Sequence, residues 1–182
     1  MTKTDSSTCL GVSSRWLHVA LPSGELVYIQ RGDVSFQHIL LSLEEMCQYS
    51  KNFLGLPYTY GGRSSFGYDC SGYVQMLYRL MGIFIPRDSK DQIHWDGFSP
   101  TTVENLHPGD LIFFGPAEDK VGHVGMFLRD EEFIHAGVST NMPYIRIARL
   151  ADPDFNGSGR WGYRAFRTIK KQCHEPLTVS FG

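Results

Sequence analysis

From residue 16 the chain alternates between apolar and polar positions: Leu17, Val19 and Leu21 are apolar, Pro-Ser-Gly at 22–24 marks a turn, and Leu26 and Tyr28 resume the alternation with Gln30 in step. Period-two alternation on both sides of a turn predicts a β-hairpin. Two strands alone do not make a stable domain, so this hairpin either packs on the rest of the chain or belongs to a larger barrel. From Ser42 the period lengthens. Ser42 with Glu45 three residues later is a capping box, which predicts a helix to about Leu54, stopped by Gly55 and Pro57. A second helix is predicted where Cys70, Tyr73, Val74, Leu77 and Met81 fall on one stripe, with Asp69 as N-cap and Gly82 just past the C-cap. A shorter helix is expected from about Ser89 to Trp95. Beyond Pro108 the pattern becomes the short strands DLIFF, HVGMFL, EFIHA, YIRIA and WGYRAFR. Helices first and an antiparallel sheet second predict an α+β fold over residues 41–182, with 1–40 as a separate hairpin region.

Composition removes several function classes. With 17 Lys plus Arg against 19 Asp plus Glu in 182 residues and no basic cluster, the chain offers no electrostatic footprint for nucleic acid. No apolar run approaches the roughly 20 residues of a membrane span. The N-terminus MTKTDSSTCLGVSSRW lacks the apolar stretch and cleavage site of a signal peptide. The sequence as it stands therefore predicts a cytoplasmic protein, and a periplasmic or cell-envelope one if a leader lies upstream. Cysteines at 9, 47, 70 and 173 form no CxxC pair, which argues against a disulfide framework or a zinc ribbon.

Cys70 opens a predicted helix, where unpaired N–H groups and the helix dipole favour a thiolate. Small buried cysteines are common core residues, so the histidines decide its reading. In GHVGMFLRDEEFIHAG, a three-residue loop pairing Leu128 with Glu132 sets 125 opposite 135 and 123 opposite 137. His123 and His135 then share one face as diagonal neighbours, close enough for their rings to meet. Cys70, His123 and His135 can supply a nucleophile, its base and the group that orients the base. Gly122 and Gly125 read as leaving space beside that strand for a substrate. Two histidines and a cysteine could also ligate zinc, although no further Cys, His or acidic motif marks a metal site.

The segments LGLPYTYGGRSSFGYDCSGYVQMLYR, IPRDSKDQ, HPGDLIFF and GHVGMFLRDEEFIHAG, in this order, resemble the NlpC-type cell-wall cysteine peptidases, a papain-like family. The resemblance implies a nucleophile at Cys70, a general base at His123, a third polar residue at His135 and an oxyanion-side tyrosine at Tyr58, with Tyr60 as the alternative in another register. It also implies that Asp69 and Ser71 bind a peptide amine, and that Arg87, Ser89 and Gln92 are chiefly architectural. The implied reaction is hydrolysis of an amide in peptidoglycan stem peptides, with the γ-D-glutamyl to meso-diaminopimelate bond the leading candidate and no cofactor. A lipid acyltransferase of the same fold and a non-catalytic wall-binding module are the alternatives. The hairpin VALPSGELVYIQRGDV resembles the closing strands of a bacterial SH3-like domain.

Overall fold

The computed structural model describes residues 9–12, 15–34, 40–138, 142–156 and 161–170. The chain divides into two compact units, Met1–Ile39 and Leu40–Gly182. In the first, β2 (Trp16–Ala20) and β3 (Leu26–Gln30) form the expected hairpin, and β1 (Cys9–Val12) adds a third antiparallel strand outside β2. The hairpin is therefore one strand short of what folds. Only Leu10 and Val12 alternate within CLGV, too little for a periodic signal.

The second unit starts with α1 (Leu43–Ser50), closed at its N-terminus by the full capping box of Ser42 and Glu45 and extended by a 3-10 turn over Lys51–Phe53. Two-residue strands β4 (Arg63–Ser64) and β5 (Gly67–Tyr68) lead into α2 (Cys70–Leu80). The predicted apolar stripe of α2 is buried in full, and Gly82 turns the chain away with φ +78°. A short α3 (Ser89–Gln92) follows.

Six antiparallel strands build the sheet: β6 (Phe98–Thr101), β7 (Leu111–Gly115), β8 (His123–Arg129), β9 (Glu132–Ala136), β10 (Ile145–Arg149) and β11 (Tyr163–Ile169), in the spatial order β10-β9-β8-β7-β11-β6. β6 has no counterpart in the sequence pattern because FSPT carries Pro100. A proline is tolerated at a sheet edge, where β6 lies. Helix α2 covers one face, packing Tyr73, Val74, Leu77 and Tyr78 against Leu111, Phe113, Val124, Met126 and Ile134. The opposite face carries Ile112, Phe114, Phe127 and Phe133 beneath Phe155. Burial on both faces explains why β7 and β8 read as nearly continuous apolar runs. Each large side chain removed from water in this way contributes about 1.5–3 kcal/mol.

Candidate active site

Two sets of backbone hydrogen bonds fix the start of α2. The preceding segment is tied to the loop at 57–62 through Tyr68 N–H to Pro57 O, Thr59 N–H to Tyr68 O and Asp69 N–H to Gly62 O. That loop and the residues just before it are tied in turn to β10 and the segment leading into it, Gly55 N–H donating to Ile145 O and Tyr58 N–H to Pro143 O. Tyr58 and the N-terminus of α2 are thus parts of one stitched unit. The close approach demands a glycine at 72, since a Cβ there would lie 2.5 Å from Gly62 O and 2.9 Å from Asp69 Oδ1.

Asp69 caps α2 as expected, its Oδ1 accepting from Gly72 N–H at 2.6 Å. The same carboxylate does more than cap. Arg87 grips it with both terminal nitrogens, Nη1 to Oδ1 at 3.0 Å and Nη2 to Oδ2 at 2.5 Å, while Gly61 N–H donates to Oδ2 at 3.0 Å. The Ser71 hydroxyl accepts from Arg87 at 2.9 Å and donates to Asp69 at 3.3 Å. Gln92, buried, donates to Ser71 O and Pro86 O and so locks the arginine-bearing segment to the helix. The resemblance gave Arg87 and Gln92 a chiefly architectural role; that Arg87 is the counterion to Asp69, eighteen residues away, carries no local signal in the sequence.

Cys70 is only 7% exposed. Burial pushes its thiol up to about 11, although it accepts hydrogen bonds from the N–H groups of Val124, Ser71 and Cys70 itself, which pull the other way. Burial therefore outweighs the helix terminus, contrary to the thiolate that position alone suggests. The Val124 N–H belongs to the peptide linking His123 to Val124, so the sulfur rests against the start of β8.

β8 and β9 pair Met126 with Ile134 and Phe127 with Phe133, the register expected from the sequence. The route differs. Arg129 pairs with Glu132 across a two-residue turn in which Asp130 and Glu131 have positive φ, and a bulge at Leu128 restores the register. His123 and His135, 6% and 1% exposed, consequently meet with Nε2 of the first 3.0 Å from Nδ1 of the second. Burial, then the neighbouring His123, then Arg146 hold His135 well below the usual histidine range. Both rings stand on the face away from the α2 core, with Phe155 against both and Trp161 5.3 Å from His123 between centroids. Phe155 comes from a segment without periodicity, and Trp161, which the sequence pattern put at the start of the strand WGYRAFR, lies two residues before β11 begins. Gly125 makes room for the protein itself: an added Cβ would lie 2.6 Å from the Phe133 ring and 3.2 Å from His135 Cβ. Gly122 borders the cleft.

A cleft of about 500 Å³ is lined by Tyr58, Tyr60, Asp69, Cys70, Ser71 and Arg87, with Ser89, Lys90, Val121 and Gly122 along its sides. Tyr58 is half-buried against the core, whereas Tyr60 is 92% exposed. Of the other cysteines, Cys47 is buried in the core and burial pushes its thiol up to about 11. Cys173 lies outside the described residues.

Of the residues that the resemblance singles out, Tyr58, Asp69, Cys70 and Ser71 line this cleft together, whereas the His123–His135 pair is not among its lining residues and adjoins Cys70 through the His123–Val124 peptide. The model of the NlpC/P60 family matches residues 55–151, more than half of the chain. The chain belongs to the NlpC/P60 family. It is 38% identical over 125 residues to a γ-D-glutamyl-L-lysine dipeptidyl-peptidase of Bacillus cereus, covering 65% of this chain and 37% of that protein. Dipeptidyl-peptidase 6 of Lysinibacillus sphaericus is 30% identical over 135 residues, 69% of this chain and 46% of its own length. A crystal structure of an NlpC/P60 family protein from Bacillus cereus superposes with a TM-score of 0.68 at 31% identity, over 81% of this chain and 49% of that one. The chain thus spans less than half the length of these relatives.

Proposed function

We propose that this NlpC/P60 chain is a cysteine peptidase that hydrolyses the γ-D-glutamyl amide bond of peptidoglycan stem peptides. The observation that carries the reading is the hydrogen-bonded His123–His135 pair, placed beside the peptide unit against which the Cys70 thiol rests. With Nε2 turned to His135, Nδ1 of His123 takes the thiol proton, and the thiolate attacks the γ-carbonyl carbon of D-glutamate. The Tyr58 hydroxyl and the Cys70 N–H stabilise the oxyanion. His123 returns the proton to the departing amine as the C–N bond breaks. A thioester remains, which water hydrolyses with His123 again as base. No cofactor takes part.

Asp69 and Ser71 border the cleft next to the nucleophile, which supports their assignment to the substrate's free amine. Because Arg87, Gly61, Gly72 and Ser71 already donate to the Asp69 carboxylate, an ammonium would share it rather than possess it. The bond is assigned to meso-diaminopimelate on the leaving side; the name of the Bacillus cereus relative gives L-lysine there. The test incubates the protein and its Cys70→Ala variant with L-Ala-γ-D-Glu-meso-diaminopimelate, with the L-lysine analogue and with intact sacculi, and follows products by mass spectrometry. L-Ala-D-Glu should appear with the wild type alone. Cleavage by the variant, or none by the wild type on any of the three, would overturn the assignment.

A further inference from the structure

Strand register sets Arg146 of β10 directly across from His135 of β9, so the two side chains share the face that also carries His123. Both lie against Phe155, the His135 ring 5.1 Å from its centroid and Arg146 Cζ 5.9 Å from it. His135 uses Nδ1 toward His123, and its Nε2 is buried without a hydrogen-bond partner among the described residues. Arg146 Nε is buried in the same condition.

The hydrogen bond between the two imidazoles can hold its proton in two ways. A proton on His123 Nε2, donated to His135 Nδ1, leaves His123 Nδ1 with the lone pair that accepts from a thiol. A proton on His135 Nδ1 instead puts the neutral His123 proton on its own Nδ1, and the base is lost. Protonated His135 carries a proton on Nδ1 and enforces the second arrangement, so the base works only while His135 is neutral. No hydrogen bond at Nε2 enforces that state. A fixed positive charge does, because a guanidinium is always charged and repels a second cation in surroundings where water screens poorly. His135 is next to it, and His123 is one strand farther away. The groups facing His135 are His123 and Gly125 from β8, Phe133 on its own strand, Arg146 from β10 and Phe155 from the following loop. Among the described residues Arg146 is the one permanent charge in that set.

We propose that Arg146 is a positioning residue whose cation keeps His135 neutral, so that the proton drawn from Cys70 resides on His123. The proposal rests on the peptidase reading for its meaning, though not for its test. Imidazole nitrogen NMR on 15N-labelled protein reports tautomer and protonation of both histidines as pH falls, in the wild type, in Arg146→Met, which keeps the stem on Phe155, and in Arg146→Lys, which keeps the charge. In the wild type His123 should protonate first while His135 remains the neutral Nε2–H form. Removing a nearby cation raises the histidine's affinity for a proton, so in Arg146→Met His135 should protonate about one pH unit higher or more. The acid limb of kcat/KM should move upward with it, and Arg146→Lys should restore both. Protonation of His135 before His123 in the wild type, or an unchanged His135 titration in Arg146→Met, would overturn the proposal. If Arg146→Met does not fold, the wild-type order of protonation and the Arg146→Lys titration still decide. If no stem peptide is cleaved, the peptidase reading fails while the titrations still judge Arg146.

Discussion

The ion pair between Asp69 and Arg87 should couple the stability of the helix start to the wall of the cleft, and a double-mutant cycle measures by how much. Asp69→Asn keeps an acceptor for Gly72 N–H, so the cap survives while the charge is lost; Arg87→Met keeps the stem and removes the fork. The pair makes two charge-assisted hydrogen bonds, at 2.5 and 3.0 Å, with side chains 10% and 27% exposed. Hydrogen bonds to charged groups contribute about 1.5–3 kcal/mol each when desolvated. The opening of the arginine toward the cleft discounts the pair to a coupling of about 2 kcal/mol. Each single variant should cost about that much, and the double variant about 2 kcal/mol less than the sum of the two. Urea unfolding followed by circular dichroism reads it out: with a slope of about 2 kcal/mol per molar, each single variant lowers the midpoint by about 1 M. A coupling below about 0.5 kcal/mol would mean that the two side chains act independently and that the fork does not hold the helix start.

Other outcomes follow from the same geometry. Burial raises the Cys70 thiol to about 11, so without a base about one thiol in ten thousand is ionised at pH 7. Because the raised value favours the protonated form, iodoacetamide alkylation of His123→Ala, mapped at Cys70 by mass spectrometry, should climb tenfold per pH unit toward pH 11, whereas the wild type reacts well near neutrality; equal rates at pH 7 would remove His123 as base. His135→Ala should lower kcat by about a hundredfold. His135→Asn should recover part of it, because an amide oxygen can accept from His123 Nε2–H; identical rates for the two variants would deny His135 its acceptor role. Gly125→Ala drives a methyl into the Phe133 ring and against His135 and should cost about 1–3 kcal/mol in urea unfolding along with most of the activity; wild-type stability would contradict the packing.

The parts of the molecule that could be read from the sequence are those specified by local chemistry. The capping box at Ser42, the Asp69 cap and the stripe on α2 each involve residues a few positions apart and fold as their spacing implies, whereas in the hairpin Leu26 and Tyr28 are exposed and pair with Ala20 and His18, on the face opposite Leu17 and Val19. The facing of His123 and His135 was legible for a related reason. Strand pairing has period two, so a turn of known length fixes which residues share a face. What could not be read are the contacts made at long range by side chains with no periodic signature: Arg87 reaching Asp69, Phe155 and Trp161 closing over the histidines, and Arg146 arriving beside His135 from β10. Edge strand β6 was hidden by its proline, and β1 by its brevity.

The state of Cys70 shows how such a gap changes chemistry as well as architecture. From the sequence, a cysteine at a helix N-terminus suggests an anion stabilised by the dipole. In the folded chain the same residue is 7% exposed and lies next to the Asp69 carboxylate, and those two effects raise the thiol despite three N–H donors. Arg87 answers the carboxylate, which would otherwise oppose a thiolate more strongly. In the proposed peptidase a protonated resting thiol makes the base indispensable, and under the proposed role of Arg146 that base depends on a neutral partner behind it. On that reading the catalytic demand passes from Cys70 to His123 and on to His135, from the face of the sheet that α2 covers to the one it leaves to aromatic rings.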